Sequence, residues 1–159
     1  MINFRRGDVE FNYRVAAVIL RGDEVLLQRI GDAEWWCLPG GRVDELESGL
    51  DALRREVIEE IGLEPVPQRL LWVVENFFVH KGIRYHEASL YFLATLPDGC
   101  EPYAAREPWT TAELDGTPLL FQWRPLATLE SVNLVPSFLR AGLRDLPEGI
   151  EYLVHRDGV

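Results

Sequence analysis

The stretch from Gly41 to Leu63 leaves this chain little freedom, because it marks both ends of a helix and sets charged residues along it at fixed intervals. It runs Gly41, five residues, Glu47, seven residues, then Arg55-Glu56-Val57-Ile58-Glu59-Glu60-Ile61-Gly62-Leu63. Ser48 followed by Asp51 has capping-box spacing: Ser48 Oγ can accept an amide of the first turn, and Asp51 can answer the amide of the cap. The helix is therefore expected to begin near Ser48. Gly62 suits the left-handed residue that closes a helix, and Pro65 stops any continuation.

At roughly 100° per residue, Leu50, Leu53, Val57 and Ile61 form an apolar stripe able to pack on a sheet, with Glu56, Glu59 and Glu60 on an adjoining arc. Carboxylates at these spacings repel one another by roughly a few tenths of a kcal/mol per pair. The ordinary meaning of such a cluster is a solvated acidic face. Two neighbours point instead to a bound hard cation, Mg²⁺ or Mn²⁺. Arg55 stands where it can orient carboxylates, and Pro39-Gly40-Gly41 offers unhindered backbone ahead of the helix. Such cations take carboxylate oxygens and complete their shells with water and substrate phosphates.

These residues resemble the signature box of the Nudix hydrolases, enzymes that cleave a nucleoside diphosphate linked to another group X. All seven fixed residues match, as do both aliphatic positions, Val57 and Leu63. With fixed residues at roughly 7% background and aliphatics at about 30%, a window matches by chance at about 10⁻⁹ to 10⁻¹⁰. The resemblance implies an α/β fold, the Nudix α/β/α sandwich with a central mixed β-sheet, as a single domain over residues 1–159. It assigns metal chemistry to Glu56, Glu59 and Glu60, with the Gly40 carbonyl as a further ligand and Glu47 and Arg55 as orienting partners. Water would attack phosphorus. Its proton would pass to Glu56 within the box or to a carboxylate on a later loop, for which Glu113 is the candidate. Leu46 stands where many members have Gly, at a variable position of the box. The substrate stays broad: a nucleoside triphosphate, a modified nucleotide or a nucleotide sugar. The competing reading is a Nudix-fold module that binds or senses a nucleotide without cleaving it. That reading predicts a degraded box, and this box is complete.

A chain of 159 residues with 47% apolar content can bury an ordinary core. Its net charge of −10 disfavours a nucleic-acid polymer or an anionic membrane as partner, while cations bound locally still permit a small anionic substrate. No apolar stretch of signal-peptide or membrane-spanning length is present. Cys37 and Cys100 lie far apart without metal-ligand spacing, so both are expected reduced and the location cytoplasmic. His80, His86 and His155 form no ligand spacing either. A homodimer is compatible with the sequence but is not required by it.

Tyr13–Leu20 and Glu24–Ile30 read as strands joined through Arg21-Gly22-Asp23, a tight-turn signal. Arg69–His80 and Tyr85–Leu96 form a second pair across Lys81-Gly82-Ile83-Arg84. Residues 97–118 read as a long acidic connection, and connections of that length tend to be functional or mobile. Thr117–Trp123 is expected as a strand, Ser137–Leu143 as a short helix and Glu151–Val154 as a terminal strand. Trp35, Phe77, Phe78 and Tyr85 offer a stacking face for a base, although strand aromatics usually serve the core. Trp36 is expected to pack under the loop. Substrate contacts are assigned to Arg14, Trp35, Gly41 and Arg84. Glu75-Asn76 and His86-Glu87 set polar groups beside a hairpin that can border the pocket.

Overall fold

Residues 9–21 form the strand on which the rest of the molecule is aligned. In the computed structural model, which describes residues 1–158, the chain runs β1 (Asn3–Arg6), β2 (Val9–Arg21), β3 (Glu24–Ile30), β4 (Gly40–Arg42), α1 (Gly49–Ile61), β5 (Val66–His80) and β6 (Ile83–Thr95). There follow α2 (Glu101–Ala104), β7 (Trp109–Ala112), β8 (Pro118–Pro125), a 3-10 turn at Leu126–Ser131, α3 (Leu139–Gly142) and β9 (Glu151–Asp157). The sheet order is β7-β8-β3-β2-β6-β5-β9, with β1 and β4 also paired to β2. β2 runs parallel to β6 and β5 parallel to β9, while the other pairs are antiparallel. The sheet is therefore mixed, as expected.

Alternation along the strands feeds two cores. Val15, Ala17 and Ile19 of β2 pack with Leu53 and Val57 of α1 on one face, and Val18, Trp72, Tyr91, Leu139 and Leu143 pack on the other. Helices thus cover both faces.

The sheet splays beside β2. After the Gly22 turn (φ 58), β2 and β3 pair only at Leu20–Val25 and Arg21–Glu24. Further along, β4 takes over against Arg14, Val15 and Ala16, while Gln28 and Cys37 exchange backbone hydrogen bonds of 2.8 and 2.9 Å. Residues 37–42 are therefore wedged between two strands. Only glycine fits at position 40: its φ is 143, and a Cβ there would run into the Val15 carbonyl.

Several elements depart from the sequence expectations. Residues 97–118 hold both α2 and β7, each four residues long and too short for a periodic signal. β1 is exposed throughout, so no alternation marks it, and β4 is mostly glycine. The Ser48 cap holds, its Oγ accepting from Asp51 N at 3.2 Å. The Asp51 carboxylate, however, accepts from the Ser48 hydroxyl at 2.6 Å rather than from the cap amide. Gly62 closes α1 in the left-handed region at φ 82.

The larger correction concerns which face of α1 packs. Leu50 is 41% exposed, whereas Ala52, Leu53, Val57 and Glu60 are buried. Gly49 lies so close to β6 that a Cβ would meet Leu90 Cδ1 at 2.7 Å. The missing side chain at 49 lets the helix approach there, and the buried set Ala52, Leu53, Val57 and Glu60 is rotated roughly 70° from the expected stripe at 100° per residue. The rotation turns Glu56 and Glu60 inward.

Candidate active site

Glu60 is the most constrained of the box carboxylates. It is 1% exposed, with Oε1 accepting from Gln28 Nε2 at 2.9 Å and Oε2 from Gly40 N at 3.0 Å. Burial pushes its carboxyl up to about 8 against the lowering effect of those two donors, and Glu56 and Glu113 push the same way as burial. Glu56 lies against Gly41, where any Cβ would fall within the carboxylate. Its carboxyl is also raised by burial, in opposition to Arg55.

Arg55 organises the outer side of the cluster. It grips Glu47 through Nε and Nη2, both at 2.9 Å, and donates from Nη2 to Arg42 O at 2.9 Å. Its Nη1 reaches Glu56 Oε1 at 2.9 Å and Glu59 Oε2 at 3.5 Å. The fork–fork pair with Glu47 holds that carboxyl below its ordinary range and the guanidinium above its own. Asp44 N also donates to Glu47 at 2.9 Å.

Glu113 arrives from the turn after β7. Thr111 Oγ1 donates to Glu60 O at 2.6 Å, which ties β7 to the end of α1. Burial raises the Glu113 carboxyl, and so do the charges of Asp115 and Glu59. Among the described residues no three acidic or histidine side chains converge on one point. Arg55 draws Glu56 and Glu59, and Glu60 is turned to Gln28 and Gly40. The donor set nevertheless fits a hard divalent cation: it is all oxygen, and its deepest member has an ionised form destabilised by burial that a cation would relieve.

A cavity of about 430 Å³ reaches this cluster through Arg42, whose carbonyl accepts from Arg55; none of the box carboxylates lines it, and Leu139 of α3 does. Arg14 lines it, with Nε 4.0 Å from Glu87 Oε1. Burial works against the Arg14 charge, but Glu87 above all, with Glu56 more weakly, holds the guanidinium above its ordinary value. Arg14 thus feels both the cavity floor and the box. Trp35, Phe78 and Tyr85 also line the cavity, the last two stacked with centroids 4.8 Å apart. Burial pushes the Cys37 thiol there up to about 12, so it is not poised as a nucleophile.

Other expected residues lie elsewhere. Arg84 is exposed and bound to Asp8 by two hydrogen bonds of 3.0 Å, because Val9–Arg84 pairing brings the β1–β2 turn beside it. It does not line the cavity. Phe77 stacks on His86 at 4.4 Å on the opposite face, and His86 pairs with Glu75 at 3.8 Å. Trp36 is core, as expected. Two important residues went unread: Gln28, which breaks the apolar run Val25-Leu26-Leu27, and Asn12, an inward polar residue of β2. Gln28 is marked as the polar residue that closes an apolar run, whereas Asn12 sits where the alternation Val9-Glu10-Phe11-Asn12-Tyr13-Arg14-Val15 calls for a polar side chain, so nothing local marks it as buried.

With this geometry in view, comparison with known proteins is decisive for the family. The NUDIX domain model matches residues 10–141, and the chain belongs to the Nudix family. It is 38% identical over 138 residues to the 8-oxo-dGDP phosphatase NUDT18 of Danio rerio, covering 80% of this chain and 38% of that protein. It is 32% identical over 124 residues to an isopentenyl-diphosphate Delta-isomerase of Jannaschia sp. (strain CCS1), covering 72% of this chain and 64% of the relative. This chain thus spans less than two thirds of the length of either. Among solved structures, a Nudix hydrolase from Nitrosomonas europaea superposes with a TM-score of 0.61 at 20% identity, over 84% of this chain and 86% of that one.

Proposed function

We propose that this chain hydrolyses the diphosphate linkage of a nucleoside diphosphate joined to X, with Mg²⁺ or Mn²⁺ held by Glu56, Glu59, Glu60 and the Gly40 carbonyl. The observation that carries the reading is the meeting of two features at Arg14: a carboxylate cluster whose glycine neighbours admit no side chain, and a cavity large enough for a nucleoside. The cation would supply charge neutralisation at the phosphates and a more acidic water.

The chain's own residues do the rest. Gln28 and the Gly40 amide hold Glu60 in one rotamer, and Arg55 with Glu47 fixes the outer edge where Glu56 and Glu59 lie. Arg14 faces the anionic end of a cavity-bound nucleotide. Glu56 takes the water proton in the first reading. Glu113, within the electrostatic reach of Glu59 and already raised by burial, takes it in the second. Family membership alone does not select the reaction, since an isomerase shares the similarity. The intact carboxylate cluster with its arginine favours hydrolysis.

The test is release of nucleoside monophosphate or phosphate from nucleoside triphosphates, oxidised nucleotides, ADP-ribose, nucleotide sugars and isopentenyl diphosphate, in Mg²⁺, Mn²⁺ or EDTA. Metal-dependent turnover that disappears in Glu59→Gln is expected. Ligand-induced thermal stabilisation without turnover would replace the proposal with a nucleotide-binding module, and isomerisation of isopentenyl diphosphate would replace it with an isomerase.

A further inference from the structure

The floor of the cavity carries a polar row that hydrolysis does not use. Asn12 of β2, Glu87 of β6 and Asn76 of β5 are cross-strand partners, Asn12 with Glu87 and Glu87 with Asn76, so all three point to one face. They are 1%, 8% and 4% exposed and all line the cavity. Both amides spend an Nδ2 donor on Glu87: Asn12 donates to Oε1 at 3.3 Å, and Asn76 to Oε2 at 3.4 Å. Those contacts fix the amide of Asn76, because the flipped form would set an oxygen against the carboxylate.

Two consequences follow for a ligand. Asn76 Oδ1 is buried without a partner, whereas Asn12 Oδ1 accepts from Arg42 Nε at 3.0 Å. The Glu87 carboxylate retains acceptor capacity beyond its two amide donors. The two groups left for a ligand here, Asn76 Oδ1 and the Glu87 carboxylate, are acceptors, and the donor beside them is Arg14, whose Nε lies 4.0 Å from Glu87 Oε1. A group that meets Asn76 Oδ1 and Glu87 has to bring N–H or O–H donors, and a flat ring suits a cavity it shares with Trp35 and the stacked Phe78 and Tyr85.

We infer that Glu87 and Asn76 form an acceptor edge that selects a purine with adjacent N–H donors, the guanine type, whose ring N–H and exocyclic amine meet the carboxylate and the Asn76 carbonyl oxygen. Adenine and cytosine place a ring acceptor beside their amine and would set a lone pair against Glu87. Uracil brings one N–H flanked by two acceptors. The inference rests on the nucleotide-hydrolase reading of the cleft and names the base that the cleft takes.

The test is calorimetric binding in EDTA of GMP, IMP, AMP, UMP and ribose 5-phosphate to the whole chain, with the nucleoside triphosphates assayed separately for Mg²⁺-dependent turnover. GMP is expected to bind at least about tenfold more tightly than IMP, which lacks the exocyclic amine, and than AMP or UMP. In Glu87→Gln the preference for GMP over AMP should shrink to about twofold, because an amide donor then faces the ring. Asn76→Leu should weaken GMP but not UMP, and both variants are checked for folding by circular dichroism. Even without the variants, equal affinity of the native chain for all bases overturns the inference. So does ribose 5-phosphate binding as tightly as GMP, since the edge would then be reading sugar hydroxyls. Turnover without a base ranking leaves the hydrolase standing and removes this inference; a GMP ranking without turnover does the reverse.

Discussion

Replacing Glu60 with Gln should stabilise the protein in EDTA, and only at neutral to alkaline pH. The folded-state pKa of Glu60 is raised from 4.5 to about 8 by burial, so the folded chain binds a proton that the unfolded chain releases. Stability therefore falls as pH climbs through that window, and the loss is complete above it. At about 1.36 kcal/mol per pH unit, the ceiling on the loss is about 5 kcal/mol. Gln carries no charge to desolvate, but its amide presents one oxygen to two donors. Gln28 can meet the new N–H with its own Oε1, which is buried without a partner, at the expense of the 3.4 Å bond from its Nε2 to Leu38 O. That exchange costs about 1 kcal/mol. The expected gain of Glu60→Gln over the native chain is about 2–4 kcal/mol at pH 8.5, falling to about zero near pH 5. Urea denaturation at a series of pH values in EDTA measures it, and thermal melts should show roughly 5–15 °C at the upper end. A difference that stays flat from pH 5 to 8.5 would refute the argument that desolvation governs this carboxyl.

Three further outcomes follow from the same geometry. Gly41→Ala pushes the Glu56 carboxylate out of its place, so kcat should fall by about 100-fold with little change in melting temperature, since the displaced group is a side-chain end. Arg55→Lys keeps the charge but loses the fork on Glu47 and the bond to Arg42 O; the divalent-ion concentration for half-maximal turnover should rise by about tenfold, read from a metal titration. Leu53→Ala opens the core beneath α1 at a fully buried position and should cost about 2–5 kcal/mol by urea denaturation, with catalysis per folded molecule preserved.

How far the sequence could be read tracks how local each determinant is. Ser48 and Gly62 bound α1 through contacts within a few residues, and the structure keeps both. The Gly22 hairpin is equally local. The rotation of α1 was not legible, because it depends on how closely Gly49 approaches Leu90 of β6, a contact between elements far apart in sequence. The same applies to Arg84, whose Asp8 partner is set by the parallel pairing of β2 with β6. Asn76 and Glu87 were visible as polar residues near a hairpin. Their alliance with Asn12 needed the register of three strands.

The central position of β2 carries a consequence for how the gene can vary. This strand pairs with β1, β3, β4 and β6, and its alternate residues serve different masters: Asn12 and Arg14 look into the cavity, while Val15 and Ala17 lie beneath the helix that bears the carboxylates. A one-residue insertion here would exchange the two sets, so recognition and catalysis would fail together and no half-competent intermediate would exist. Lengthening is better tolerated where the register is already free to end, at the Gly7 and Gly22 turns that bound β2 and at the Gly82 turn between β5 and β6, whose surroundings are open. Divergence of specificity in such a scaffold is therefore channelled into substitution along β5 and β6 and into growth at those tips, with β2 held at constant length.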